Sequence, residues 1–181
     1  MHHKTLIINQ KFKTMKKSIL SVFAIAIVAV FAFTSCKQQT MTDYLTTEKG
    51  WTLSAAECTN GYVFDDNTTI NNLFDGYVYD CEKDDIIKFN TDNYEYLNPG
   101  SDVCEWQPSQ ESSLGKWAIN EEEKVLDMQI PFFYDEEVES CKIINLVKDE
   151  LKVSFNFDIV EGEAKGKPGN YTFVLTYVPA K

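Results

Sequence analysis

The sequence predicts an all-β fold, an eight-stranded antiparallel up-and-down meander that closes on itself as a barrel, with a β-sandwich as the alternative. Three observations lead there. Eight runs after residue 50 have the length and the apolar–polar alternation of strands. Most are joined by turns of a few residues, which places successive strands side by side and antiparallel. No run has the spacing of a strong amphipathic helix. A sheet of this kind has one apolar face, and eight strands can bury it by closing.

The first strand spans 51–56 and opens on Gly50-Trp51. Residues 59–80 hold Asp65-Asp66-Asn67 and Asn71-Asn72, with Leu73 and Phe74 as the apolar pair, and read as a loop with one helical turn. The clearest hairpin follows. Strands 86–90 and 94–97 flank Asp92-Asn93, read as a two-residue turn, and that register pairs Phe89 with Tyr96. Strand 113–119 comes next, then a charged turn over 120–124, then strand 125–130, ended by Pro131. Strands 139–147 and 151–159 form a hairpin around Lys148-Asp149-Glu150. In the latter, Leu151, Val153, Phe155, Phe157 and Ile159 share one face and Lys152, Ser154, Asn156 and Asp158 the other. A loop over 161–170 precedes the last strand, 171–178, with Tyr171, Phe173, Leu175 and Tyr177 on one face.

The residues before this pattern have a different logic. Lys16 and Lys17 precede an apolar run from Ile19 to Phe33, the length of a signal-peptide core and short for a membrane span. Phe33-Thr34-Ser35-Cys36 resembles the lipobox of bacterial lipoproteins: an apolar residue, two small ones and a cysteine. The resemblance implies cleavage before Cys36, lipid on its thiol, and acylation of the new amine. Two or three acyl chains anchor a protein stably, because each buried methylene contributes about 0.8 kcal/mol. The expected organisation is a signal peptide over 1–35, a lipid-anchored tether over 36–48 and a barrel domain over 49–181, with Met15 as an alternative start. Lys37-Gln38-Gln39 carries no acidic run, so both faces of the outer membrane remain open as the location.

Composition narrows the function. The exported part, 146 residues from Cys36, has 12 lysines against 28 acids, a charge of −16. That surface repels nucleic acid and anionic headgroups. The chain has no arginine, and its only histidines, His2 and His3, precede the signal. The exported domain therefore lacks imidazole for base catalysis or metal ligation, and guanidinium for bidentate anion capture. A non-enzymatic protein without cofactor or metal is expected. The acids Asp80, Glu82, Asp84 and Asp85, and Asp135, Glu136, Glu137 and Glu139, lack the spacing of a calcium loop and read as solvated surface.

Setting Cys36 aside leaves Cys58, Cys81, Cys104 and Cys141, an even set for an oxidising compartment, with three possible connectivities. The hairpin register brings Cys81 level with Cys104, beyond the end of the ladder at Pro99-Gly100. Cys81–Cys104 is the preferred disulfide, and Cys58–Cys141 follows by elimination.

Gly50-Trp51, the stretch from Cys81 to Phe89, Gly100, Cys104, Leu114-Gly115-Lys116-Trp117 and Leu151 together resemble the small lipocalin-like domain lipoproteins of Gram-negative bacteria. The resemblance implies an eight-stranded barrel or half-open barrel. The arginine that lipocalins proper stack on the first-strand tryptophan is absent. Phe89, Tyr94, Tyr96, Trp117, Phe155, Phe157, Phe173 and Tyr177 are expected on inward faces, as plain core or as the lining of a cavity, and Trp51 and Trp117 as plugs. The leading expectation is a membrane-tethered module that binds a small apolar or amphipathic ligand. The alternative is an envelope interaction protein, an accessory subunit or inhibitor, with a filled barrel.

Overall fold

A computed structural model describes residues 39–64, 66–131, 138–160 and 166–181. The signal peptide, Cys36, the start of the tether, and Asp135, Glu136 and Glu137 lie outside the described residues.

The chain enters through a short helix, α1 (Met41–Leu45). Thr40 and Asp43 form a reciprocal cap: the Thr40 hydroxyl accepts from Asp43 N at 3.1 Å, and the Asp43 carboxylate from Thr40 N at 2.9 Å. The tether expected over 36–48 is therefore shorter than the sequence suggests. Its second half belongs to the folded body, with Leu45 fully buried. Asp43, polar in the sequence, is a capping residue rather than a spacer.

Among the described residues ten strands follow: β1 (Trp51–Val63), β2 (Thr69–Asn72), β3 (Ile86–Phe89), β4 (Tyr94–Asn98), β5 (Ser112–Lys116), β6 (Ala118–Asn120), β7 (Val125–Met128), β8 (Glu139–Val147), β9 (Glu150–Ile159) and β10 (Gly169–Pro179). Their lateral order is β5-β4-β3-β1-β10-β9-β8-β7-β6, with β2 paired to β1. The two ends of that order, β5 and β6, are consecutive in the chain and separated only by Trp117. They act as one bent strand that pairs with β4 before the bend and with β7 after it. Counted so, and leaving out the β2 extension, eight antiparallel strands make a barrel-shaped sheet. The expected strand 113–119 is this bent one. The sheet is thereby nearly closed, which leaves few of the exposed edges that an open sheet would carry.

Two differences from the sequence reading have local causes. β1 runs to Val63 and turns back into β2, where a loop was expected. The turn works because Asn67 takes a positive φ of 69° and the Asp66 carboxylate accepts from Thr68 N. The hairpin between β3 and β4 uses the same device. Asn90 O accepts from Asn93 N, Asn90 N donates to Tyr94 O, and Asn93 has φ 65°. That is a three-residue loop rather than Asp92-Asn93 alone. The register therefore pairs Phe89 with Glu95, and Lys88 with Tyr96. A one-residue slip exchanges the faces of a strand, so Glu95 and Leu97 point inward while Tyr94 is exposed and Tyr96 half-buried. The helical turn expected in the 59–80 segment is present, as α2 (Leu73–Gly76), capped by Asn72.

The core is continuous. Leu151, Val153, Phe155 and Ile159 of β9 and Tyr171, Phe173, Leu175 and Tyr177 of β10 are buried, as the alternation predicts. Trp51 is fully buried, and its indole N–H donates to Leu45 O at 2.8 Å, which locks α1 to the barrel. Just before it, Gly50 has φ 74°, and a Cβ there would lie 2.6 Å from Ile86 Cγ2 and 2.8 Å from Ile87 O. Only glycine fits so close to β3.

Candidate functional site

Three places have the geometry to carry function: the barrel interior, an outer groove beside β1, and the loop clamped by a disulfide.

Fully buried Trp51, Leu126, Met128, Leu151, Phe173 and Leu175 fill the interior. Tyr62, Tyr171 and Phe173 pack with ring centres 5.1 to 6.4 Å apart, the separation of favourable aromatic pairs. Among the described residues, the void bordered by Leu53, Ile87, Leu97 and Tyr177, with Glu82, Asp85 and Pro131, has a volume of about 20 Å³. That is the space of one water molecule, against roughly 300–1,000 Å³ for a small-molecule site.

Set in this core is one carboxyl that the sequence reading placed outside. Glu95 has no exposed surface. It pairs across the sheet with Gly115, whose missing side chain leaves room for Gln129 to lie over it. Glu95 Oε2 accepts from Gln129 N at 2.9 Å, which joins β4 to the end of β7 across the bent strand. Among the described residues Oε1 has no hydrogen-bond partner, and neither does the Tyr177 hydroxyl. Burial pushes the Glu95 carboxyl up to about 8, opposed only in part by the Gln129 bond. Tyr177 is raised well above the usual phenol range, by burial first and then by the negative charges that Cys141 and Glu95 would carry. The Cys141 thiol is raised by burial and by the acids Glu139, Glu95 and Asp127. At neutral pH all three groups are therefore predominantly uncharged, which makes them part of a core and poor nucleophiles or bases.

The cysteines divide. Cys81 and Cys104 form a disulfide, S–S 2.00 Å and Cα–Cα 5.3 Å, outside the β3–β4 ladder as expected. The pairing of Cys58 with Cys141 is not found: both are free and buried. The strand order explains why. Cys58 is on β1 and Cys141 on β8, with β10 and β9 between them. Three strand spacings come to about 14 Å along the sheet, and a disulfide needs Cα atoms within about 7 Å. Elimination failed because two thiols can each be buried as small apolar groups. Cys36 lies outside the described residues.

The acids near Cys81 are not free surface charges. Asp84 Oδ2 accepts from Ser101 N at 2.7 Å, Ser101 Oγ at 2.8 Å and Asp102 N at 3.4 Å. Burial raises its carboxyl, but these bonds outweigh that and the net displacement is downward. Asp85 accepts from Gly100 N and from the Gln107 amide, and burial leaves it raised. Asp80 remains exposed and pairs with Lys83 at 2.8 Å. Among the described residues no three His, Cys, Asp or Glu side chains stand where they could hold a metal ion. These carboxylates instead tie the loop over 99–107 to the turn over 80–85.

The outer groove has a volume of about 450 Å³ and runs between β1 and the β2–α2 insertion. Its polar groups are largely engaged. Asn71 donates to Cys58 O, Asn72 and Asp75 bond to each other, and Ser54 donates to Thr176 O. Compared with protein families, curated proteins and solved structures, the chain matches none.

Proposed function

We propose that this chain is a lipid-anchored protein of the bacterial cell envelope that works, without catalysis, as an interaction module: its barrel is filled, and its outer surface meets a partner. The observation that carries the reading is the packed interior: fully buried side chains fill it, and the void beside Tyr177 and Leu53 is near 20 Å³. The lipid anchor rests on the lipobox resemblance at Cys36, and the envelope location on that anchor. The raised, neutral state of Glu95 and Tyr177 fits a structural interior better than a reactive one.

A carrier of a small ligand is the second reading. Two interior polar atoms, Glu95 Oε1 and the Tyr177 hydroxyl, lack partners and favour it. Titration with a fluorescent fatty-acid analogue separates the two. A filled barrel gives no saturable binding. Saturable micromolar binding that is lost in a Tyr177→Phe, Glu95→Gln variant would move the assignment to the carrier. Metabolic labelling with a radioactive fatty acid tests the anchor: label is expected on the native chain and absent from Cys36→Ala.

A further inference from the structure

The loop that follows β4 is unusual in being both exposed and rigidly held. The Cys81–Cys104 disulfide crosses it. Asp84 holds Ser101 and Asp102, and Asp85 holds Gly100 and Gln107. Gln107 N also donates to Cys104 O at 3.0 Å, and Gln107 Oε1 accepts from Cys104 N at 3.3 Å. What this framework presents is apolar. Trp106 is 54 % exposed, Tyr79 45 % and Val103 38 %. The Tyr79 and Trp106 rings meet edge to face at 5.0 Å. Tryptophan and tyrosine held rigidly at a surface are the side chains that carry binding energy in protein interfaces, because little side-chain entropy is lost when they dock. Each has an exposed acid as its chain neighbour: Asp80 beside Tyr79, Asp102 beside Val103 and Glu105 beside Trp106.

We propose that Tyr79, Val103 and Trp106 form the docking surface of this protein, and that the occupant is a protein partner presenting an apolar pocket rimmed by lysine or arginine. Charge selects that occupant. Asp80 is already paired with Lys83, but a second copy of this chain would bring the same acids against Asp102 and Glu105, and like charges disfavour that contact. An anionic membrane surface meets the same repulsion. A cationic rim around an apolar pocket complements both parts of the patch.

This rests on the interaction reading above. The test is site-specific photo-cross-linking of the full-length, lipidated protein in envelopes of its own host. The cross-linker replaces Glu105 in one strain, and Ile144 or Val178, exposed on β8 and β10, in two others. A discrete protein adduct from position 105 is expected. It should fall roughly thirty-fold with Trp106→Ala, fall on charge reversal by Asp102→Lys, weaken with salt, and map to an apolar, lysine- or arginine-rimmed site on the captured protein. An adduct at twice the chain's mass, a lipid adduct, or an adduct indifferent to Trp106→Ala would overturn the proposal. Adducts at 144 or 178 but none at 105 would overturn the site and keep the interaction reading. Silence at all three positions would count against both.

Discussion

The buried carboxyl of Glu95 makes stability depend on pH in a direction opposite to that of most acidic proteins. Its folded value, about 8, lies above its ordinary 4.5. The folded state therefore keeps the proton after the unfolded chain has lost it. The contribution is whole below about pH 4.5 and is lost as pH rises through about 8. At 1.36 kcal/mol per unit, the loss over that window is on the order of 4–5 kcal/mol. This is a large part of the 5–15 kcal/mol of a typical domain. Urea unfolding of the 39–181 body from pH 4 to 9 measures it directly. Glu95→Gln keeps an acceptor for Gln129 N but cannot ionise. Its amide adds an unpaired donor and so shifts the whole curve, which leaves the slope as the readout. The native chain should lose stability steadily between pH 5 and 8 relative to the variant, and Asp85, also raised, adds a smaller fall in the same direction in both proteins. Parallel curves for the two proteins across that window would refute the burial of an unpaired carboxyl at this position.

Three further outcomes follow from the packing. Maleimide labelling of the 39–181 body should find no reactive thiol when native and two, Cys58 and Cys141, when unfolded without reductant; four would deny the Cys81–Cys104 bond and none would restore the second disulfide. Reducing Cys81–Cys104 frees a loop with a sequence separation of 23 and should cost about 3–4 kcal/mol on the loop-entropy account, read from the urea midpoint. Gly50→Ala places a Cβ against Ile86 and Ile87 at a positive φ and should destabilise by about 2 kcal/mol or more, whereas a change below roughly 0.5 kcal/mol would mean the approach of β3 is looser than described.

How much of this was legible in the chain depends on the kind of signal. The strands of the second half, β9 and β10 above all, announce themselves because Leu151 to Ile159 and Tyr171 to Tyr177 alternate without interruption, and burial of one face needs nothing else. The bend at Trp117 was invisible as a bend, since a strand that changes partners keeps its own alternation. Glu95 was hidden by a turn. With Asp92-Asn93 as the loop, two tyrosines face inward, which suits the hydrophobic effect. With Asn93 in the left-handed region the loop gains a residue and the acid goes inside. Asparagine's tolerance of positive φ was the signal that could have found it. Trp106 gave no periodic signal at all, because its position is set by a disulfide and side-chain bonds from Asp84 and Asp85. The Thr40–Asp43 spacing was a helix-start signal that the reading of 36–48 as a tether passed over, and the capped helix extends the folded body into that tether.

A filled barrel held to a membrane by lipid on Cys36 is tested most directly by native mass spectrometry of the protein extracted from its own host. The account predicts the mass of the chain from Cys36 onward with the Cys81–Cys104 disulfide intact and covalent acyl chains on Cys36, with nothing released on unfolding. A reproducible small molecule that stays bound in the folded protein and leaves when it unfolds would contradict the filled barrel, and an unacylated or uncleaved chain would contradict the anchor.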